Sequence, residues 1–480
     1  MSHASGEARL LLAGAARAVI TPPIGIRMLG YTVQEGCSRD VERDLTATVL
    51  FLTDGSTSAV IAALDVVFVP LPHADRIRAA IGLRLGIPAE NVLLNCSHTH
   101  LGPMFPGWQD EASPQQELQD RYVAYLEDVL AGAAAAAWEQ RRPARLGSGR
   151  GTAPLGVNRR EKMPDGSVMI GENPDGAIDR AVDVLRIDDL AGRPLAVMMS
   201  AACHTVVLGP KTLSLSPDFI GPARELIEHA IGAPSLFLQG AAGNINPACG
   251  IGSGGGDQYE DSHRLGMMLG GETLKVWAQI RTHNRRGPRR IVRSVAAIST
   301  WDYEPTPHET VKHFSVARRR LTLPLAPLPD LAKAESDVAR TRKARDEALS
   351  GSSQGEKNVA QRMFAWAEQR HRLVAAGNRI VTREIELWTL RINDIGIATV
   401  SAEPLAELGL EIKRRSPLGH TLFLGYSNGC IGYIPPPEAF AEGGMEVVES
   451  HFNYLLPAQL TPEWAPTVVE TTLEMLARLG

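Results

Sequence analysis

Asn91-Val92-Leu93-Leu94-Asn95-Cys96-Ser97-His98-Thr99-His100-Leu101-Gly102-Pro103 sets two imidazoles directly behind a short apolar run. Val92 to Leu94 has the composition of a buried strand, and Gly102-Pro103 ends it and turns the chain. Side chains alternate along an extended backbone, so His98 and His100 are predicted to face the same side. They would then stand at the carboxyl end of a strand, where α/β folds gather their chemistry. A lone His-x-His pair is equally at home as two surface or core histidines. Its meaning depends on what the other strands end in.

Working outward, Ala16 to Gly25 reads as a strand closed by Pro22-Pro23, and Leu45–Leu52 and Ser58–Val67 as strands joined by an Asp54-Gly55 hairpin signal. A helix is predicted over Ala74–Leu85 and another over Gln116–Gln140, where Tyr122, Leu126, Val129 and Leu130 recur at helical spacing. Val182–Ile187 and Leu195–Ala202 are the next strands, the second running into Cys203-His204. Ser216-Pro217-Asp218 is predicted to open a helix with a serine N-cap. Ser235–Gly240 is a strand leading to Gly243-Asn244-Ile245-Asn246-Pro247, and Gly250–Gly256 is a Gly/Ser-rich loop. Residues 329–378 are rich in Ala, Glu, Lys and Arg and break at Ser350–Ser353, which predicts a helical hairpin inserted into the fold, as a lid, an oligomer contact or a solvated appendage. Glu384–Leu390 and Ile395–Val400 resume the sheet, and the latter ends in Ser401-Ala402-Glu403-Pro404. No internal repeat is visible. The expectation is one α/β domain over 1–480, with a mixed multi-stranded sheet core, surrounding helices and the active site at strand ends.

Composition narrows the function classes. The 480 residues are 44% hydrophobic and 21% charged, as in a globular protein with a sizeable core. A net charge of −5 gives no reason to expect nucleic acid or an acidic membrane as partner, and the arginines from Arg285 to Arg293 read as a solvated loop edge. No run approaches the roughly 18 apolar residues of a membrane span, and Glu7 and Arg9 fall where a signal peptide would be apolar. Five scattered cysteines without a Cys-x-x-Cys pair suggest free thiols and a cytoplasmic location. Cys96 and Cys203 are read as small buried supports of the site.

Strand ends therefore offer His98 with His100, His204 and Glu403. Two imidazoles and a carboxylate are a ligand set for a hydrolytic zinc that keeps one position for water, and such a metal lowers the pKa of that water from 15.7 to about 7.

Several blocks, in order, are similar to the neutral (non-lysosomal) ceramidase family: Val19-Ile20-Thr21-Pro22-Pro23 with Gly30-Tyr31, His98-Thr99-His100-x-Gly102-Pro103, Asn158-Arg159, Cys203-His204 with Ser216-Pro217-Asp218, Gln239-Gly240 with Gly243–Pro247, the Glu403 block, and Gly432-Tyr433-Ile434. The resemblance implies one zinc ion per chain held by His98, His204, Glu403 and Tyr433. It makes His100 and Arg159 catalytic, the first as proton carrier and the second as partner of an oxyanion or polar group, with Asn244 and Asn246 on the substrate. The chain departs from the family where Asn244 replaces an aspartate and Asn246 a serine, and the family's secretion signal and trailing β-sandwich are not read here. The reading is a zinc-dependent hydrolase of a linear amide, with a small or amphiphilic N-acyl substrate, no nucleic acid, no transmembrane segment and a possible homo-oligomer. The alternatives are a metal hydrolase of an ester, lactone or cyclic amide, and a non-catalytic, metabolite-binding descendant.

Overall fold

The computed structural model describes residues 9–34, 36–106, 115–283, 286–305 and 310–479; Glu7 and Arg285 lie outside them. The architecture is α/β, as the sequence predicts, but it has a regularity the sequence conceals. One topological unit occurs three times. In the first, β1 (Leu12–Val19), β2 (Thr46–Thr53) and β3 (Ser58–Leu64) form an antiparallel series, helix α1 (Leu71–Leu85) crosses over, and β4 (Val92–Cys96) adds parallel to β3, followed by α2 (Gln116–Glu139). In the second, β5 (Arg142–Thr152), β6 (Ala181–Asp189) and β7 (Pro194–Ala201) are antiparallel, α3 (Ile220–Ile231) crosses over, β8 (Ser235–Gln239) joins parallel to β7, and α4 (Gln258–Gln279) follows.

The third unit opens with β9 (Phe314–Pro324). Helices α5 (Leu331–Gly351) and α6 (Gln354–Ala375) then intervene before β10 (Thr382–Ile392) and β11 (Ile395–Val400), and α7 (Ala406–Arg415) crosses to parallel β12 (His420–Leu424), with α8 (Trp464–Arg478) after it. The first two sheets are joined edge to edge by β1 and β5, at Leu12↔Pro143 and Ala13↔Arg142.

The inner faces of all three sheets share one core, in which Leu50 and Ile61 meet Leu185 and Met198 and also Trp388, Leu390 and Ile397. Each outer face is covered by its own helix pair. Val49 and Phe51 pack under Ile77 and Leu126, Val184 and Met199 under Ile227 and Leu269, and Ile385 and Leu387 in the layer of Leu408 and Val468. Successive residues of one strand thus serve opposite faces, both buried. For that reason the core strands read as continuous apolar runs rather than alternating ones.

Each crossover helix sends one cation to an acid of a neighbouring unit. Arg78 of α1 binds Glu386 at 2.8 Å, Arg224 of α3 binds Asp65 at 2.6 Å, and Lys413 of α7 binds Asp183 at 2.7 Å. The three pairs close a ring around the molecule.

Several expectations are corrected. The first strand begins at Leu12 and ends at Val19, because Pro22-Pro23 supply no N–H for a ladder. Helix α3 begins at Ile220 rather than Ser216; Ser216 Oγ accepts from Asp218 N, and Asp218, at φ +53, turns its carboxylate back to Leu208 N. Arg286–Val295 pairs with Ile298–Pro305 as an exposed hairpin, where a loop edge was expected. The Gly/Ser loop contains a tight turn over Ile251–Gly255, with Gly252, Ser253 and Gly254 in the left-handed region. Helices α5 and α6 pack as a hairpin, its break capped by Ser353 and Glu356.

Candidate metal centre and active site

The β3, β7 and β11 strands point their carboxyl ends to the same end of the molecule, as do β4, β8 and β12. The third residue beyond β7 is His204 and the third beyond β11 is Glu403, so these two occupy equivalent positions in their units. The first unit has Val67 there, and supplies His98 from the end of β4 instead.

His98 and His100 do face one another, though not by strand alternation. β4 stops at Cys96, and His98 adopts φ +62, in the left-handed region that side chains rarely enter. The surrounding chain fixes it there through His98 N to Val66 O at 3.1 Å. The turn brings the Nε2 atoms of His98 and His100 to 3.1 Å. Gly30 packs against this turn at φ +143, and a Cβ there would lie 2.5 Å from that of His100, so no other residue fits. The Tyr31 and His100 rings meet edge to face with their centroids 4.8 Å apart.

His98, His100 and His204 offer ring nitrogens all within 4.8 Å of one another. Glu403 Oε2 lies 3.3 Å from His98 Nε2 and 3.5 Å from His204 Nε2. The far ring nitrogens are spoken for: His98 Nδ1 donates to Val67 O at 2.9 Å and His204 Nδ1 to Ala242 O at 2.7 Å. An imidazole that donates from Nδ1 presents a lone pair at Nε2. Burial draws His98 to about 4 and His204 to about 3, so both rings are neutral at pH 7. Burial also raises the Glu403 carboxyl, partly offset by His98 and Arg159.

Glu403 Oε2 is buried and accepts no hydrogen bond from the described residues. Two lone pairs and an orphaned carboxylate oxygen converging in a buried space are what a cation needs and what an empty protein interior penalises. The residues present therefore fit a divalent metal.

Tyr433 pairs with Glu403 in a short parallel bridge, and its phenol interacts with the Glu403 carboxyl and the Arg159 guanidinium. Burial pushes that phenol above its ordinary range. Arg159 Nε donates to Glu446 Oε1 at 2.8 Å, while Nη1 lies 3.5 Å from His204 Nε2 and 3.4 Å from Asn246 Oδ1. Arg159, Asn246, Tyr433 and the three histidines line one cavity of about 370 Å³. Asn244 is placed elsewhere. Its Oδ1 accepts from Ala406 N and its Nδ2 donates to Glu407, so it ties down the start of α7 and is absent from the cavity wall.

Three neighbours had no sequence signal. Tyr454 donates its hydroxyl to Glu403 Oε1. Tyr426, at φ +51, lays its ring 4.2 Å from that of His98. Glu446 holds both Arg159 and Arg160. Cys96 and Cys203 are buried thiols raised by burial, Cys96 to about 12, as supporting residues should be.

The roof comes from three insertions, one between the first two strands of each unit. They carry Gly30-Tyr31, Arg159, and the α5–α6 hairpin with Asn358 and Arg362. The hairpin is thus a wall of the cavity. Trp366 anchors it, donating to Leu456 O at 2.8 Å with its ring 4.4 Å from Phe452.

No family model matches the chain, and no curated protein does. Solved structures do, among them a ceramidase complexed with C2 at TM-score 0.70 and 18% identity and the neutral ceramidase of Pseudomonas aeruginosa at TM-score 0.66 and 16% identity. Each likeness covers 98% of this chain and 75% of the other. Among the described residues no helix is long and apolar enough to cross a membrane. The fold is that of the neutral ceramidases.

Proposed function

We propose that the chain is a zinc-dependent hydrolase of ceramidase type, cleaving a linear N-acyl bond with one ion held by His98, His204, Glu403 and Tyr433. The observation that carries this reading is the meeting of His98 Nε2, His204 Nε2 and the unpartnered Glu403 Oε2. A ceramidase acts on an amide, and the two solved neighbours supply that reaction class. Imidazole, carboxylate and phenolate donors suit zinc and its neighbours better than calcium or magnesium. Zinc bound there supplies Lewis acidity and a water whose pKa is lowered to about 7.

The remaining roles belong to the side chains. His100 is neutral at pH 7, held well below its ordinary pKa by burial, and among the described residues its Nδ1 has no partner. It can take a proton from the attacking water and deliver it to the departing nitrogen. Arg159 keeps its charge and is fixed by Glu446, so it is a preset partner for the negative charge that develops on the carbonyl oxygen. Asn246, on the cavity wall beside Arg159, can hydrogen-bond the substrate amide. A volume of about 370 Å³ favours a compact acyl compound; it lies near the low end of the roughly 300–1,000 Å³ typical of small-molecule sites. Free thiols at all five cysteines support a cytoplasmic location.

The test is zinc stoichiometry and amide hydrolysis for wild type and His98→Ala. Near-equimolar zinc and turnover in the first, with both lost in the second, is the expected result. Equal turnover in the two proteins ends the proposal.

A further inference from the structure

The three insertions that roof the cavity each bring one arginine to its wall: Arg27 from the first, Arg159 from the second and Arg362 from the third. Two of these have visible structural work. Arg159 is held by Glu446, and Arg362 donates to the carbonyl of Asn453, tying the helical hairpin to the segment before Tyr454.

Arg27 is different. Its backbone is fixed between Cys37 and Met104, and its side chain is half-buried. Among the described residues no carboxylate forms an ion pair with it, and burial lowers its pKa. A guanidinium drawn partly out of water without a counter-ion is costly, and a ligand anion offsets that cost. The carboxylates on the cavity wall are Glu403, committed to the histidines, and Glu449 at the exposed rim. Cations therefore outnumber acids around the space a substrate must enter. On the same cavity wall Leu29, Val67, Phe68 and Met104 form a small apolar cluster.

We propose that the substrate is a compact anionic N-acyl compound, of the N-acyl amino acid class, whose carboxylate pairs with Arg27 while a short acyl group lies against Leu29, Val67, Phe68 and Met104. This rests on the amide-hydrolase reading. Water adds across the amide: the C–N bond breaks, a C–O bond forms, and the nitrogen leaves with the transferred proton, giving a fatty acid and a free amino acid. A guanidinium–carboxylate contact of this kind distinguishes the acid from its neutral isostere, which ceramide resembles in lacking a charge.

The experiment compares N-hexanoylglycine with N-hexanoylglycinamide on the zinc-loaded full chain, wild type, Arg27→Gln and Arg27→Lys. Wild type is expected to favour the acid, and Arg27→Gln to raise its KM by about 10- to 100-fold. The same variant should leave kcat and the glycinamide constants within about twofold, with Arg27→Lys partly restoring the acid. Calorimetric binding of N-hexanoylglycine is measured in parallel. Binding that depends on Arg27 but leads to no turnover of any amide keeps this inference and removes the hydrolase reading. Turnover of the neutral amide or of a short-chain ceramide with no preference for the acid overturns this inference and leaves the hydrolase reading intact. An equal effect of Arg27→Gln on both compounds, or no binding of the acid at all, overturns it as well.

Discussion

Val67 O accepts the Nδ1 hydrogen of His98 at 2.9 Å, and Val67 stands where the second and third units carry His204 and Glu403. Two of the three equivalent strand-end positions thus supply potential ligands, and the third supplies the carbonyl that orients a histidine from the neighbouring strand. Such outer partners set the tautomer and direction of a ligand, and losing one typically costs about 10- to 100-fold in metal affinity or activity.

The partner best suited to a test is Tyr454, because its hydroxyl can be removed without a change of shape. Tyr454→Phe deletes the hydrogen bond to Glu403 Oε1 and leaves the ring beside Phe68. Zinc affinity, measured by competition with a chelating dye, is expected to fall about 10- to 100-fold while the thermal midpoint of the metal-free protein changes little. Unchanged affinity would remove Tyr454 from the metal centre.

Proton release reports on the histidines. Burial holds His98 near 4 and His204 near 3, so at pH 6 neither carries a proton for the metal to displace. An exposed imidazole with a pKa of about 6.5 would be mostly protonated at that pH. Calorimetric zinc titrations at pH 6 in buffers of different ionisation enthalpy should find almost no proton released by the imidazoles. Beyond the proton that Tyr433 gives up as a ligand, release of about two more per ion would mean that the rings are solvated and charged, contrary to the geometry.

The sequence makes the site more legible than the fold's symmetry. His98, His204 and Glu403 each follow an apolar run, and those runs are conspicuous because both faces of each sheet are buried. The threefold unit is hidden by what lies between its first two strands: a mostly irregular segment within 20–45, a β-hairpin at 153–180 and a helical hairpin at 325–381 share neither length nor composition. The first strand of the second unit, Arg142–Thr152, escapes notice because its Gly, Ser and Arg residues are half-exposed at a sheet junction. Tyr454 and Arg27 reach the cavity, and Glu446 reaches Arg159, only through tertiary packing, so no local motif announces them. Asn244 misleads for the opposite reason, sitting in a motif-like stretch yet fastening the start of α7.

The helical hairpin makes a prediction of its own. Trp366 is 2% exposed, and its indole joins α6 to the segment that carries Tyr454. Trp366→Ala should cost about 3–5 kcal/mol of packing, concentrated in the docking of Leu331–Ala375 rather than in the three sheets. Hydrogen exchange is expected to accelerate across α5 and α6 and at Tyr454, with KM rising more than kcat falls. Uniform acceleration across the whole chain would show instead that the hairpin is part of the global folding unit.

The ring of ion pairs predicts how the fold responds to acid. Burial alone would raise the Asp183 carboxyl, but Lys413, His420 and Arg150 outweigh it and hold the group well below the ordinary range. A carboxylate whose folded-state pKa is depressed contributes fully above its unfolded value of about 3.9, and the contribution drains away as pH falls from there toward the folded value. Lys413→Met removes the ammonium that lies 2.7 Å from both Asp183 and Asp179 and leaves Asp183 to Arg150 and His420. The loss at pH 7 should be about 1.5–3 kcal/mol, as for a hydrogen bond to a charged group. Below about pH 4 wild type sheds more stability than the variant, whose Asp183 is held down less, so their urea midpoints should draw together with acid. A gap that stays constant from pH 7 to pH 3 would assign the Lys413 effect to packing of its hydrocarbon stem against the sheet, not to the charge that links the second and third units.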